Sequence, residues 1–358
     1  MSNPTPLHRG TFATGFPGRP GSDSRPIQPS RLFYNATRHD ADEAALQAWW
    51  QTFDDAVLDR FVEACLKQNA ELSLAALRVA QACAGLTGTL EEMATHPECL
   101  QAWTLFHTLR VRLVAATVRT YFDILASQER LLCVDIAIHH QSALLQWGRV
   151  PVVDRACDGV HSAQAASLPE LHLHRVRLQG DRDAAAAGLA WLVGEPLDLV
   201  LARVDGRLLP SATSTMPASG GPDALQLRRP DLLAIALQPP RPENQDEHRV
   251  RANAIRREQA FDWAVCEVER ALAALTSAIG ESSPARAAAL SASSRANALV
   301  QKMRAGQIDH EALLEANCIH HGHCDREIEV RARGYRALVN LYEALGAGWP
   351  APIESSEA

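Results

Sequence analysis

The chain has 358 residues, 47% of them hydrophobic, and a formal net charge of −7. That length suffices for one large or two ordinary domains, and the apolar fraction can supply a core, so collapse is expected and not disorder. The acidic balance gives no electrostatic reason to bind nucleic acid or an anionic membrane surface.

Residues 1–40 carry Pro and Gly too often for a helix and too irregularly for strands, and read as a disordered leader. They contain no apolar run that would serve as a signal-peptide core, so the sequence taken literally predicts a cytoplasmic start. No later segment offers about eighteen consecutive apolar residues, the length of a transmembrane helix. The eight cysteines, Cys65, Cys83, Cys99, Cys133, Cys157, Cys266, Cys318 and Cys324, are scattered through Ala-rich text without a repeated spacing, which argues against a disulfide framework.

A first helical repeat is expected over 41–196. Val57, Leu58, Phe61, Val62, Ala64, Cys65 and Leu66 recur at three- and four-residue steps, and a second helix follows from Leu72 to about Cys83. Periodicity weakens between Ala84 and Pro97, after which Leu100 to about Trp147 reads as one very long helix without a proline. Beyond a break containing Gly148, Pro151 and Gly159, helix resumes from Val160 to Leu192, with Pro169 a candidate kink. It ends at Val193-Gly194-Glu195-Pro196, where Gly supplies a left-handed cap and Pro forbids continuation.

Residues 197–225 are dense in turn formers and read as a connector. The second repeat, 226–349, follows, with helix from Asp223 to Gln238, a break at Pro239-Pro240-Arg241-Pro242, and helix from about Asp246 to Met303. A further break is expected at Gly280 to Pro284, and a last helix runs from beyond Gly306 to Leu345, leaving 350–358 as a tail. The two halves end alike, in Leu192-Val193-Gly194 and Ala344-Leu345-Gly346, which suggests a tandem duplication. Helices of about 40 residues span roughly 60 Å. The expected fold is therefore mainly α, with long antiparallel helical hairpins in two tandem repeats, and a rod so thin favours self-association.

Four blocks, in order, carry a resemblance. Trp49-Trp50-Gln51-Thr52-Phe53-Asp54-Asp55-Ala56-Val57-Leu58-Asp59 with Asn69-Ala70-Glu71-Leu72 comes first, then Leu227-Arg228-Arg229-Pro230-Asp231. Arg304-Ala305-Gly306 with Leu313 and Leu314, and Ala344-Leu345-Gly346-Ala347-Gly348-Trp349, complete the set. Together they resemble the TolC-like outer-membrane factors of resistance-nodulation-division efflux pumps. The resemblance implies a homotrimer in the outer membrane and periplasm, with two strand hairpins and two helix hairpins per protomer, working with a periplasmic adaptor and an inner-membrane pump. It makes Arg228, Arg229, Pro230 and Asp231 a structural motif and Arg304, Ala305 and Gly306 an adaptor-contacting hairpin tip.

A membrane barrel strand needs about nine to eleven residues of alternating character. Neither Ala84 to Leu109 nor the charged, proline-bearing Gln238 to Ile255 offers paired runs of that kind, so both β-barrel hairpins are expected to be missing. The family's lipidation cysteine has no counterpart in residues 1–40.

One local cluster falls outside the resemblance. Cys318, His320, His321, His323 and Cys324 place five soft or imidazole ligands within seven residues, enough for a zinc or copper(I) site, although one helix would point them in several directions. No phosphate-binding Gly-rich loop, nucleophile elbow or paired-His metalloprotease helix is present, so no enzyme activity and no cofactor is expected. Two functions follow: a passive efflux conduit subunit, or a barrel-less helical paralogue acting as an interaction or metal-binding module or left as a remnant.

Overall fold

A computed structural model of the chain describes residues 33–34, 46–86, 90–148, 158–211, 216–237, 247–308 and 310–349. All of them lie in one unit, Arg31–Ala358, and among them every regular element is a helix. In chain order these are α1 (Ala56–Gln68), α2 (Ala70–Ala82), α3 (Leu90–Thr95), α4 (Pro97–Gly148), α5 (Asp158–Val193), α6 (Leu197–Val204), α7 (Leu225–Arg228), α8 (Pro230–Leu237), α9 (Glu247–Arg304) and α10 (His310–Ala344). With 52 residues in α4 and 58 in α9, the longest run to about 80 Å or more at 1.5 Å per residue.

The four long helices form one layer in the order α5, α4, α10, α9, each antiparallel to its neighbour. Arg175 pairs with Asp135 at 2.6 Å to join α5 to α4, and Arg333 pairs with Glu281 at 2.7 Å to join α10 to α9. The central seam, α4 against α10, is a ladder of charges: Arg119–Glu343 at 2.6 Å, Arg336–Asp123 at 2.7 Å, Arg331–Glu129, and Arg130 with Asp325 at 2.7 Å and Glu329 at 3.0 Å. These guanidiniums are partly shielded from water, so their pairing fixes axial register more firmly than exposed pairs would.

At one end of the layer the short helices cover a core of Trp49, Phe61, Tyr121, Phe122, Leu125, Leu189, Val193, Leu272, Leu275, Val339 and Leu345. Phe122 stacks on Tyr335 with ring centroids 4.3 Å apart, and Trp49 on Tyr342 at 4.5 Å. Phe33 is also buried there and the Tyr34 amide donates to Glu269 at 2.7 Å, so this part of the expected leader belongs to the fold. The rest of residues 1–40 lies outside the described residues, as do 149–157, 238–246 and the tail 350–358.

Three expectations need correction. The helix expected to break between Gly280 and Pro284 runs unbroken through both as α9, and Pro169 likewise sits inside α5. A proline removes one backbone hydrogen bond and crowds the carbonyl four positions back; in helices as long as α9 and α5 the turns on either side carry the helix across that loss. The connector does not begin as loop, because α6 buries Val200 and Val204 against the core. Its later part is strapped across the central seam, where Arg331 donates to the carbonyls of Leu209 at 2.8 Å and Pro210 at 3.2 Å and Tyr335 donates to that of Ser211 at 2.7 Å.

The third correction is chemical. Cys83, at the end of α2, is disulfide-bonded to Cys99, in the first turn of α4, with Cα atoms 5.0 Å apart. The bond closes the segment where the resemblance implies the first strand hairpin, and α3 fills it. In the second such place nine residues separate Leu237 from Glu247, fewer than two strands of about nine to eleven residues require.

Closing a loop of 16 residues restricts the unfolded chain by about 3 kcal/mol. Cys99→Ser, or reduction of the wild type, should therefore lower the free energy of unfolding by a comparable amount and shift the midpoint of chemical unfolding down accordingly. Equal midpoints with and without reductant would show that the bond is not formed.

Candidate functional site

The Arg-Arg-Pro-Asp motif forms the joint between α7 and α8. Arg229 alone separates the two helices, held extended at φ −90° and ψ 121°, because the residue before a proline is barred from helical conformation. Arg228 is buried and donates to the Ser219 carbonyl at 2.8 Å, while its own carbonyl accepts the Trp349 indole N–H at 2.7 Å. Arg229 grips both oxygens of Asp231, at 3.1 and 2.8 Å, reaches Glu267 of α9 at 2.5 Å, and donates to the Ala344 carbonyl at 3.3 Å. Burial opposes the Arg229 charge, but these carboxylates outweigh it and raise its pKa.

Ala344 is the last residue of α10, and Gly346, at φ +73°, turns the chain so that the Ala347 amide bonds back to the Tyr342 carbonyl at 2.9 Å. A side chain at Gly346 would meet the Arg228 carbonyl at 2.7 Å. The first half contains the same joint. Asn69 alone separates α1 from α2, extended at φ −64° and ψ 123°, and its side-chain amide donates to the Leu192 carbonyl at 3.0 Å. Gly194, at φ +70°, ends α5 with Glu195 bonding back to Ala190 at 3.2 Å, and a side chain there would meet Gln68 at 3.3 Å. In each half a polar residue between two short helices satisfies a helix-end carbonyl two positions before the capping glycine.

These contacts rank the glycines. Gly346→Ala should cost several-fold more stability than Gly306→Ala in thermal or chemical unfolding. At Gly306, φ +70° with open space around it, the substitution carries only the left-handed backbone penalty of about 1–2 kcal/mol. Equal losses would mean that the α7–α10 approach is not tight.

Asp55 is a residue that the sequence reading did not single out. One of its oxygens caps α1, accepting from Val57 at 2.9 Å and Leu58 at 3.3 Å; the other accepts from Tyr121 and Arg207, each at 2.7 Å. Burial raises its pKa, but the hydrogen bonds from Tyr121, Arg207, Leu58 and Val57 together prevail and lower it. Nothing in the spacing of Asp55, Tyr121 and Arg207 signals their convergence, which α4 and the connector create.

Next to the motif, Trp349 packs on Trp103 and His107 with Val111 and Leu233. Burial, with a smaller push from the Arg110 charge, lowers the His107 pKa to about 4 from an ordinary 6.5. Below pH 6.5 the unfolded chain therefore binds a proton that the folded one refuses, so stability declines as pH falls from 6.5 towards 4. His107→Phe should flatten this decline in urea midpoints measured across that range; an unchanged slope would place the pH dependence elsewhere.

Arg304, Ala305 and Gly306 lie at the far end, where α9 stops. Ala305 bonds to Gln301, Gly306 to Met303 and Gln307 to Lys302, a glycine-capped helix end exposed to solvent. The other hairpin tip, 149–157, falls outside the described residues.

Cys318, His320, His321, His323 and Cys324 all sit on α10, and the helix divides them as expected. His321 turns to His140 of α4 at 3.3 Å, while Cys324 lies 3.5 Å from His320 on its own helix. The His320 and His321 rings have centroids 5.4 Å apart, and Cys318 lines the same cavity as His140 and His321. Among the described residues no three His, Cys, Asp or Glu side chains converge as a metal site.

No family model matches the chain, and no curated protein matches it either. Solved structures do. The open-state outer-membrane channel MtrE of Neisseria gonorrhoeae superposes with a TM-score of 0.73 at 14% identity, over 92% of this chain and 98% of that one. The outer-membrane channel OprN gives 0.70 at 19% identity over 92% and 99%, and the Campylobacter jejuni channel CmeC 0.68 at 15% over 87% and 89%. The chain has the helical fold of the TolC-like outer-membrane channels.

Within that fold several charged residues beside the motif are paired with one another. A cleft of about 600 Å3 beside the motif is lined by Arg112, Arg229, Asp231, Glu267, Arg270 and Glu343. Its Arg229 is held by Asp231 and Glu267, and its Glu343 by Arg119. Among the described residues no single helix is long and apolar enough to cross a membrane.

Proposed function

We propose that the chain is a subunit of a passive efflux conduit, a homotrimer that serves a tripartite pump through its helical wall and does not act on the transported substrate as an enzyme. The observation that supports this most is the layer of four long helices with two open edges. On α5, Leu173, Val176 and Trp191 are exposed, and on α9, Val250, Ile255, Trp263 and Leu290. Large apolar side chains exposed on both outer helices of the layer call for further copies to cover them. The two equivalent joints, at Asn69 with Gly194 and at Arg229 with Gly346, support an origin by tandem duplication.

The hairpin tip at Arg304, Ala305 and Gly306 is the surface offered to a periplasmic adaptor, since its glycine leaves backbone open to close approach. The Cys83–Cys99 disulfide favours an oxidising compartment such as the periplasm. The solved neighbours are outer-membrane channels, so a cytoplasmic location has no support from them.

A second reading rests on the segments that α3, the disulfide and the nine-residue link between α8 and α9 leave too short for strand hairpins. In it the helical module acts without a barrel of its own, as an interaction partner.

Cell fractionation followed by size-exclusion chromatography with light scattering tests both. The conduit reading predicts a trimer recovered with the envelope, reduced to monomer by Trp263→Glu with Leu290→Glu. A monomer in the soluble fraction would retire it and leave the interaction module.

A further inference from the structure

Below the last ion pair of the α4–α10 seam the chemistry changes from charge to sulfur. One turn beyond Arg130, which is held by Asp325 and Glu329, Cys133 of α4 faces Cys324 of α10. The Cys133 thiol also reaches the His321 carbonyl at 3.8 Å, and Cys324 lies 3.5 Å from Nδ1 of His320. Arg130–Asp325 on one side and His140–His321 on the other hold both helices in register around the pair. A cavity of about 330 Å3 between α4, α5 and α10 opens against Cys133, with Val134, Ala137, Leu171 and Leu314 among its apolar lining.

The two thiols are not equivalent. A hydrogen bond from Cys133 is the largest influence on Cys324 and lowers its pKa, against burial and the nearby Glu327 and Asp325. The same bond raises that of Cys133, with burial, Cys324, Asp325 and Glu129 acting in the same direction. Of the groups packed around the pair, His320 is within reach to donate to the Cys324 sulfur, and His174 of α5 lies 3.8 Å from Asp325. With the His320 imidazole 3.5 Å from its sulfur, Cys324 is the better placed nucleophile, and Cys133 holds the proton between the two.

We propose that Cys324 and Cys133 form a thiol–disulfide exchange site, at which a low-molecular-weight disulfide closes a reversible cross-link between α4 and α10. The Cys324 thiolate attacks one sulfur of the external disulfide, forming a mixed disulfide and releasing one thiolate. Cys133 then gives its proton to that released thiolate and attacks the Cys324 sulfur, expelling the second. Two protein thiols are oxidised and one external disulfide is reduced to two thiols. The cavity beside Cys133 gives the reagent room to enter and leave. Once closed, the bond pins the axial register of the first helical hairpin against the second, at the point where the ion-pair ladder stops.

The test uses the full-length chain in mixtures of reduced and oxidised glutathione, quenched with acid, alkylated and mapped as peptides by mass spectrometry. The wild type should yield a Cys133–Cys324 linked peptide that rises with oxidised glutathione, while Cys266 and Cys318 stay open to alkylation. Cys133→Ser should stop at a glutathione adduct on Cys324, and Cys324→Ser should slow reaction at Cys133 by at least tenfold. Both thiols remaining alkylatable in the most oxidising mixture would overturn the proposal, as would linkage of either to Cys318. The wild-type map decides this even where a serine variant fails to fold.

Discussion

Long helices end in carbonyl groups that cannot be left unpaired in a core, and in this protein that constraint is met twice by the same device. At the ends of α5 and α10 a left-handed glycine turns the chain away, and a polar residue from a two-helix corner fills the gap. Asn69 serves the Leu192 carbonyl and Arg229 that of Ala344. The remaining contacts of the corner depend on this placement: the Arg228 carbonyl fits against Gly346 because that residue has no side chain, its guanidinium is buried against Gly220 for the same reason, and Trp349 can bond to the Arg228 carbonyl because the chain has already turned. The network at Asp55 performs related work for the first half, fastening the start of α1 to α4 and to the connector.

From these corners the long helices run as a layer whose register is set by side chains, since the backbones of neighbouring helices make no bonds to each other. The arginines of the central seam are shared between α4, with Arg119 and Arg130, and α10, with Arg331 and Arg336, so that neither helix carries an uncompensated row of charge. The outer helices are tied inward by Arg175–Asp135 and Arg333–Glu281, and among the described residues no further long helix packs on their outer sides. Among the described residues the layer is best covered at the corner end, where several short helices pack on it, as the conduit wall proposed above requires.

Much of this was legible in the sequence because helix boundaries are chemically marked. Gly194, Gly306 and Gly346 each carry positive φ at a predicted helix end, and Pro97 and Pro230 open helices where a missing N–H is harmless. Pro284 misleads because a proline's effect depends on what surrounds it: long flanking helices held by neighbours absorb the lost bond. The α6 helix was hidden by the turn formers that follow it, and the Cys83–Cys99 bond by a spacing that means nothing until α3 folds between them. For the candidate sites the limit is distance along the chain. The Arg-Arg-Pro-Asp motif is contiguous and could be read, whereas Asp55 with Tyr121 and Arg207, and Cys133 with Cys324, come together only when separate helices pack. The contiguous Cys/His run proved the reverse case, a cluster in sequence that one helix distributes to different neighbours.

The central claim is that this helical layer closes upon copies of itself. End-on class averages of the purified, envelope-derived protein by electron cryomicroscopy test it most directly. With four long helices per chain, the account predicts a closed ring of twelve helices with threefold symmetry. Single layers with both edges free, or open stacks without closure, would contradict it.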